Sequence, residues 1–534
     1  MEKIFSNKIL KFSVYFVTVL FLFKIFEIQI LKGEFYEEKA ITIKSKKIRL
    51  PSKRGRIFDR KGRNVAYWRT GFRLLRNGEV FLEDVSFEEI VNYLEDPDSS
   101  KIFSVYALPY RFYPYKNIYA QTIGFTGLPS EKEIEEGIDP LLRTGKSGIE
   151  KFYDEILRGK DGYKFLLIDA KGRVYSEETR PPIEPVDGKD ITLTLDFELG
   201  RYIDSLFKPY EKGACVVLKP KTGEVLALYS KPSFDLNLLT GKREKEELLK
   251  ILNDTLKPLL NRAIQGLYPP GSIFKVITSL IALEEGVIDT NEFLYCQGKY
   301  RFGNRVFKDW KEEGHGRVNF FRGIEVSCDV YFYEVSKRIG LKRFLEYFEK
   351  LKIFDKTDID LPGEKKGFYP TIEFYKKRYG KYGYGEGNAL NLGIGQGEVL
   401  MTPIEIALLF GAIALEGKCK KPHLLKNKET DYFELPFKSE NIRILKKALF
   451  RVVQGDKGTG RLAGVKGLNI GGKTGTAQNP KGEDHAQFVA FFPFENPEYV
   501  VYVIVENSGM GGEIAAPLAG KIIKWIYEKY IKAS

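Results

Sequence analysis

Three short motifs stand in one order along the chain: Ser272-Ile273-Phe274-Lys275, then Ser327-Cys328-Asp329, then Lys473-Thr474-Gly475-Thr476. No other feature restricts the fold as much. A serine and a lysine three residues apart need a helix to share one face. The small-residue run around Lys473 reads as a strand that another backbone can approach closely. The fold must bring that helix, the middle motif and that strand to one place.

Each motif alone is weak, because the chain holds decoys of all three. Ser205-Leu206-Phe207-Lys208 repeats the first, but Lys208 precedes Pro209, a helix stop. Lys221-Thr222-Gly223 repeats the third, but it lies between the apolar runs Ala214 to Leu218 and Val225 to Tyr229 and reads as a hairpin turn. Ser233-Phe234-Asp235 imitates the second. The decoys come in the wrong order, within a stretch too short for a domain. Order, spacing and context therefore carry the signal.

The chemistry of the ordered set is that of a nucleophilic serine with a lysine base. Pro269-Pro270-Gly271 precedes Ser272, and the run Ile273 to Glu284 reads as a buried helix with the serine in its first turn. A helix N-terminus favours an attacking alkoxide. Burial of Lys275 favours the neutral amine and lets it act as a base. Lys473 supplies positive charge for a carboxylate, and Thr474 and Thr476 supply hydroxyls. The Ser272 and Thr476 amides together form a candidate oxyanion hole. The plain alternatives are a surface lysine at 275 and a Gly-rich turn at 471–477.

At 534 residues the chain is long enough for two or three domains. Its +13 balance suits nucleic acid, an anionic membrane or an anionic polymer, but no basic block or recognition module supports nucleic acid. Lys3, Lys8 and Lys11 precede an apolar stretch from Phe12 to Leu31, interrupted by Lys24, Glu27 and Gln29. That length crosses a bilayer core of roughly 30 Å. A cleaved signal peptide is the alternative, but no small-x-small site follows Leu31. The flanking lysines place the N-terminus in the cytoplasm and the rest outside.

A polar region runs from 32 to about 180, and Pro181-Pro182, Pro185 and Asp187-Gly188 mark a join. Beyond it, Ile191 to Leu195 alternates like a strand and Phe197 to Phe207 reads as a helix. Strands are expected at 214–219, 225–230, 487–493 and 499–506, besides the one at 471–477, and an amphipathic helix at the end. The fold class is α/β of the α+β kind: a five-stranded antiparallel sheet flanked by helices. The expected division is a tail (1–11), a membrane anchor (12–31), an elongated pedestal (32–180) and a catalytic domain (181–534).

Tyr268 to Lys275, Ser327 to Tyr333 and Gly472 to Gln478 together resemble a class B penicillin-binding protein. Asp329, where division-specific members usually carry Asn, and Tyr331-Phe332-Tyr333 make the chain similar to the penicillin-binding protein 2 type, the transpeptidases of cell elongation. Further matches are Arg54 to Arg60, Gly148 to Lys151, Gly393 to Gly397 with Thr402-Pro403, and Asp484-His485-Ala486. The stretch from Ala66 to Tyr113 is shorter than in the family, which implies a trimmed pedestal head.

The resemblance implies a peptidoglycan D,D-transpeptidase with no cofactor for catalysis. Ser272 attacks a D-Ala-D-Ala stem peptide and Lys275 takes its proton. Ser327 relays a proton to the leaving amine, and Asp329 positions Lys275 or the substrate amide. Lys473, Thr474, Gly475 and Thr476 hold the terminal carboxylate. Penicillin and other β-lactams acylate the same serine. The implied setting is the inner membrane, single-pass, with the catalytic domain outside. The implied partners are a SEDS-type membrane glycan polymerase, rod-complex proteins and the lipid bilayer, not nucleic acid. A carboxypeptidase or β-lactamase on the same fold, and a scaffold that activates a polymerase, are the alternatives.

Cys296, Asp309, His315 and Cys328 form a second constellation, a donor set suited to structural zinc. Similar family members carry zinc at the Asp, His and Cys positions; Cys296 is added by proximity. A Cys296–Cys328 disulfide and two buried thiols are the other readings. Cys215 and Cys419 read as structural, His485 as either cleft-lining or structural, and His423 has no assigned role.

Overall fold

The structure is a computed structural model that describes residues 2–36, 45–76, 79–94, 103–138, 140, 142–168, 174–177, 181–239, 244–380, 383–479 and 482–532. By contacts the chain forms two compact units, Met1–Lys53 with Arg158–Gly188, and Arg54–Leu157 with Lys189–Ser534. This partition differs from the expected limits. Residues 54–157, read as pedestal, cluster with the catalytic sheet. The limit at Arg180 lies outside the described residues.

In the first unit a helix Glu2–Phe26 continues through a π-helical turn, Glu27–Leu31. Lys11–Leu31 has a mean hydropathy of 2.0 and is long and apolar enough to cross a membrane. Glu27 interrupts that apolarity but lies 2.6 Å from Lys24 and 2.5 Å from Lys32, so the charges are paired. The same unit holds an antiparallel sheet of Ser45–Leu50, Gly162–Ile168 and Val174–Glu177.

In the second unit, the long strand Asn64–Arg76 pairs with Glu79–Val85 and Phe103–Phe112. Leu74, Leu82, Val85 and Ile90 form a small core of their own there. The same unit holds a buried ion cluster. Glu150 takes Arg111 and Arg54, each at 2.6 Å, and Arg54 also reaches Asp154 at 2.7 Å.

The catalytic sheet consists of Gly213–Leu218 (β1), Val225–Lys231 (β2), Gly471–Ala477 (β3), His485–Phe492 (β4) and Tyr499–Val505 (β5). Its order is β2-β1-β5-β4-β3, antiparallel throughout. All seven residues of β5 are apolar and buried, as a central strand covered on both faces requires. The helices are Phe197–Phe207 (α1), Lys275–Glu284 (α2), Asp329–Ile339 (α3), Pro403–Ala414 (α4), Ser439–Gln454 (α5) and Ala515–Ile526 (α6). α1 and α6 pack on each other and on the sheet; α4 packs on β1, β4 and β5 and is joined by α5.

α4 is buried along its whole length, and its start is set by sequence. Thr402 and Glu405 form a capping box, and Pro403 occupies the first turn. The expected strand at 191–195 is shorter: only Ile191–Thr192 pairs, in parallel with Ile57–Phe58. Its partner strand is two residues long: Leu193 still gives its amide to the Phe58 carbonyl at 2.8 Å, and Thr194 turns to the Leu424 carbonyl at 2.7 Å.

Candidate active site

Ser272 does not lie in the first turn of an α-helix, as the sequence predicts, but in a 3-10 turn, Gly271–Phe274, that leads into α2. The cause is Gly271, whose φ is +52°. A side chain there would meet the Thr476 carbonyl at 2.6 Å. Gly271 also donates its amide to Gly395 at 3.0 Å, and Gly395 has φ +70° with no room for a Cβ against the Gly271 carbonyl. The Ser272 turn, the Gly393–Gly397 loop and β3 therefore meet through backbone, and Gln396 adds a bond to the Thr476 carbonyl at 3.4 Å.

The middle motif is the corner between the short helix Phe320–Glu325 and α3. Ser327 has φ +55°, a left-handed conformation rare outside glycine. Cys328 caps α3 by accepting the Tyr331 amide. This turn aims the Ser327 hydroxyl and the Asp329 carboxylate at Lys275. The Lys275 Nζ donates to Asp329 Oδ1 at 2.7 Å, to the Ser327 carbonyl at 2.8 Å and to Ser327 Oγ at 3.3 Å. From β3, Lys473 Nζ donates to the same Ser327 Oγ at 2.8 Å and to the Thr474 carbonyl at 3.0 Å. Both lysines are fully buried. Burial first, and the charge of Lys275 second, hold the Lys473 amine well below its ordinary value, so its neutral form is favoured.

Ser272, Ser327, Thr474 and Thr476 line one cleft of about 670 Å³. The Thr474 hydroxyl bonds that of Thr459 at 2.7 Å, and Thr476 Oγ1 accepts the Gly511 amide at 3.2 Å. Gly475 packs its bare Cα against Ile273. The decoys stay outside. Ser205 caps back onto Tyr202 within α1, Lys221 lies in the β1–β2 turn bonded to Asn496, and Ser233 bonds the Asn117 carbonyl.

Cys296, Asp309, His315 and Cys328 also meet, their ligand atoms all within 4.8 Å of one another. Adjacent donors stand 3.5 Å (Cys296 to Asp309), 3.7 Å (Cys296 to His315) and 3.3 Å (Cys328 to Asp309) apart. Tetrahedral zinc with ligands at about 2.0–2.3 Å needs donors roughly 3.3–3.8 Å apart, so the set fits the ion. The Cys328 hydrogen bond, chiefly, lowers the Cys296 thiol to about 6. Burial works against a charged His315, but its bonds to Asp309 and Cys296 outweigh it and raise the imidazole. All four cysteines are unbridged in the structure, Cys296 and Cys328 included. The next residue, Trp310, gives its amide to Asp329 Oδ2 at 3.1 Å and its indole to the Val326 carbonyl at 3.2 Å. The cluster thus adjoins the catalytic corner.

Sequence reasoning missed Thr459, Trp310 and Gly511. The Lys457-Gly458-Thr459-Gly460 run was a usable signal for the first, since it is a second small-residue loop ahead of β3. Trp310 and Gly511 reach the site only through tertiary contacts.

A serine on a turn into a buried helix, a buried lysine three residues on, a second serine between two lysines and a Lys-Thr-Gly edge strand define a class: the penicillin-recognising serine acyltransferases. A model described as the penicillin binding protein transpeptidase domain matches residues 213–524, and one described as the penicillin-binding protein dimerisation domain matches 74–193. The peptidoglycan D,D-transpeptidase MrdA of Haemophilus influenzae is 31% identical over 94% of this chain and 88% of its own. The structure of a complex between penicillin-binding protein 2 and MreC from Helicobacter pylori is matched at 26% identity and a TM-score of 0.82, over 91% of this chain and 99% of that one. A structure titled for the coordination of polymerization and crosslinking by a peptidoglycan synthase complex is matched at 28% identity and 0.75, over 97% of each chain. The chain belongs to the penicillin-binding proteins, of the penicillin-binding protein 2 type.

Proposed function

We propose that this chain is a membrane-anchored peptidoglycan D,D-transpeptidase of cell elongation. The observation that carries the reading is the Ser327 hydroxyl, shared by Lys275 and Lys473 at the floor of the Ser272 cleft. The donor stem peptide lies along β3, its terminal carboxylate between Thr474, Thr476 and Lys473. A carboxylate beside Lys473 stabilises the ammonium form. A proton then passes from Lys275 through Ser327 Oγ to Lys473, which leaves Lys275 free to take the proton of Ser272. Ser272 attacks the D-Ala-D-Ala carbonyl, and the amides of Ser272 and Thr476 receive the oxyanion. The Lys275 proton returns through Ser327 to the departing D-Ala amine, and the amine of a second stem peptide resolves the acyl-enzyme. Asp329 holds Lys275 in place. β-Lactams enter as donor mimics and stop at the acyl stage.

The test is covalent labelling by a fluorescent penicillin. Ser272→Ala abolishes it while the protein stays folded; stoichiometric labelling of that variant would sink the assignment. With stem-peptide substrates the product is a cross-link, and free D-Ala without cross-links would point to a carboxypeptidase. Depleted cells round up if the enzyme serves elongation, whereas filaments would assign it to division.

Structural zinc at Cys296, Asp309, His315 and Cys328 belongs to the same reading. When bound, the ion supplies a cross-link between the 296–315 segment and the catalytic corner, and no chemistry. Purified protein is expected to carry one zinc per chain, and His315→Ala to lose it and melt roughly 5–10 °C lower. Metal-free protein with unchanged melting would remove zinc from the account.

The domain scheme follows: tail 1–11, anchor 12–31, pedestal 32–180 with a short head, transpeptidase 181–534. The apolar helix supports the anchor, the N-terminal lysines an inside-to-outside orientation at the inner membrane, and the family matches the two outer domains. The relatives solved with MreC and in a peptidoglycan synthase complex support rod-complex proteins and a SEDS-type glycan polymerase as partners.

A further inference from the structure

The loop from Asn507 to Gly512 joins β5 to α6 and places Met510 and Gly512 on the cleft wall. Its Gly511 amide is the donor to Thr476 Oγ1. The loop begins with two positive-φ residues, Asn507 at +52° and Gly509 at +94°. Fixed bonds hold that conformation. The Asp484 carbonyl accepts the Ser508 and Gly509 amides at 2.9 and 3.0 Å, and Asn479 reaches the Asn507 side chain at 2.7 Å. The first amide, that of Asn507, is different: it donates to His485 Nδ1 at 3.1 Å.

A backbone N–H can only donate, so Nδ1 must be an unprotonated acceptor and the ring proton must sit on Nε2. An imidazolium would turn a second N–H toward Asn507 and break the anchor. His485 is well placed for this task. It opens β4 opposite Ala477, one residue beyond Thr476 on β3, and its half-buried ring stands edge-on to Tyr268, four residues before Ser272.

We propose that His485 is a positioning residue of the acyl-transfer site, whose neutral ring anchors the 507–512 loop over the cleft and whose protonation releases it. This rests on the transpeptidase reading above and adds a residue to it. The charged groups facing the ring are Glu506 at the end of β5, Lys212 ahead of β1, and Asp484 beside it. Glu506 is itself held by Arg262 at 2.7 Å, Tyr268 at 2.8 Å and Lys212 at 3.3 Å. The two carboxylates favour an imidazolium, but burial, with Lys212, outweighs them and holds the ring below its ordinary 6.5. The anchor is therefore complete at neutral pH and is lost as pH falls through the lowered value.

The test is the rate of acylation by a fluorescent penicillin, followed on the full chain in detergent between about pH 4.5 and 8. Wild type slows about tenfold on the acid side. In His485→Asn the side-chain oxygen accepts the Asn507 amide at every pH. That variant is expected to stay within about threefold of wild type at neutral pH and to lack the acid limb. His485→Phe keeps the ring packing without an acceptor and acylates about tenfold more slowly throughout. An unchanged acid limb in His485→Asn, or a wild-type rate in His485→Phe, would overturn the proposal. If His485→Phe fails to fold, the pH profile of His485→Asn decides alone. Absence of Ser272-dependent labelling in wild type at every pH would instead strike the transpeptidase reading and this one with it.

Discussion

At the scale of the residue, the site depends on missing atoms as much as on present ones. Gly271 turns the chain at φ +52° with the Thr476 carbonyl 2.6 Å from where a Cβ would stand. Gly271→Ala is expected to push the nucleophile turn off β3 and slow penicillin acylation by about 100-fold, with a far smaller change in melting temperature. An acylation rate within a factor of a few of wild type would show that the close approach is incidental. Thr459→Val, which removes the partner of Thr474, is expected to cost about tenfold in the same assay. The helix of Lys275 and the strand of Lys473 were legible because spacing and neighbours fix their local structure, whereas the 3-10 turn that carries Ser272 was not. The left-handed corner at Ser327 was not, since nothing in Ser-Cys-Asp announces φ +55°. It is imposed by Lys275, Lys473 and the capping thiol of Cys328 acting together.

At the scale of the element, strands with dense β-branched or aromatic sequence and helices with clear caps could be read to within a residue or two. β5 and α1 are examples, and so is the β1–β2 turn that disposed of a decoy motif. Segments whose partners are distant could not be read. Leu193 to Leu195 alternates like a strand, yet its neighbours end the ladder after Thr192. The buried ion cluster belongs at this scale too, because Glu150 joins Arg54, ahead of the first short strand, to Arg111 in Phe103–Phe112. Burial alone would raise its carboxyl, but Arg111 and Arg54 outweigh that and lower it. Its contribution is therefore full above the unfolded value of 4.5 and is lost as pH falls through the folded one. Glu150→Ala leaves the Arg111 guanidinium buried without its carboxylate and Arg54 with Asp154 alone, and is expected to cost about 3–5 kcal/mol in urea unfolding. A loss under about 1 kcal/mol would mean that water replaces the carboxylate.

At the scale of the whole molecule, the sheet is assembled from segments far apart in the chain. β1 and β2 come before Ser272, and β3, β4 and β5 come long after it. The order β2-β1-β5-β4-β3 makes Lys473 the far end of a row: β3 is held by β4, β4 by β5, and only β5 touches β1. A chain delivered N-terminus first presents Ser272 and Lys275 early, and β3 gains its place in the sheet only after β4 and β5 have followed it. The strand order is thus a clock. The strands that hold Lys473 in the sheet are the last of the chain to arrive.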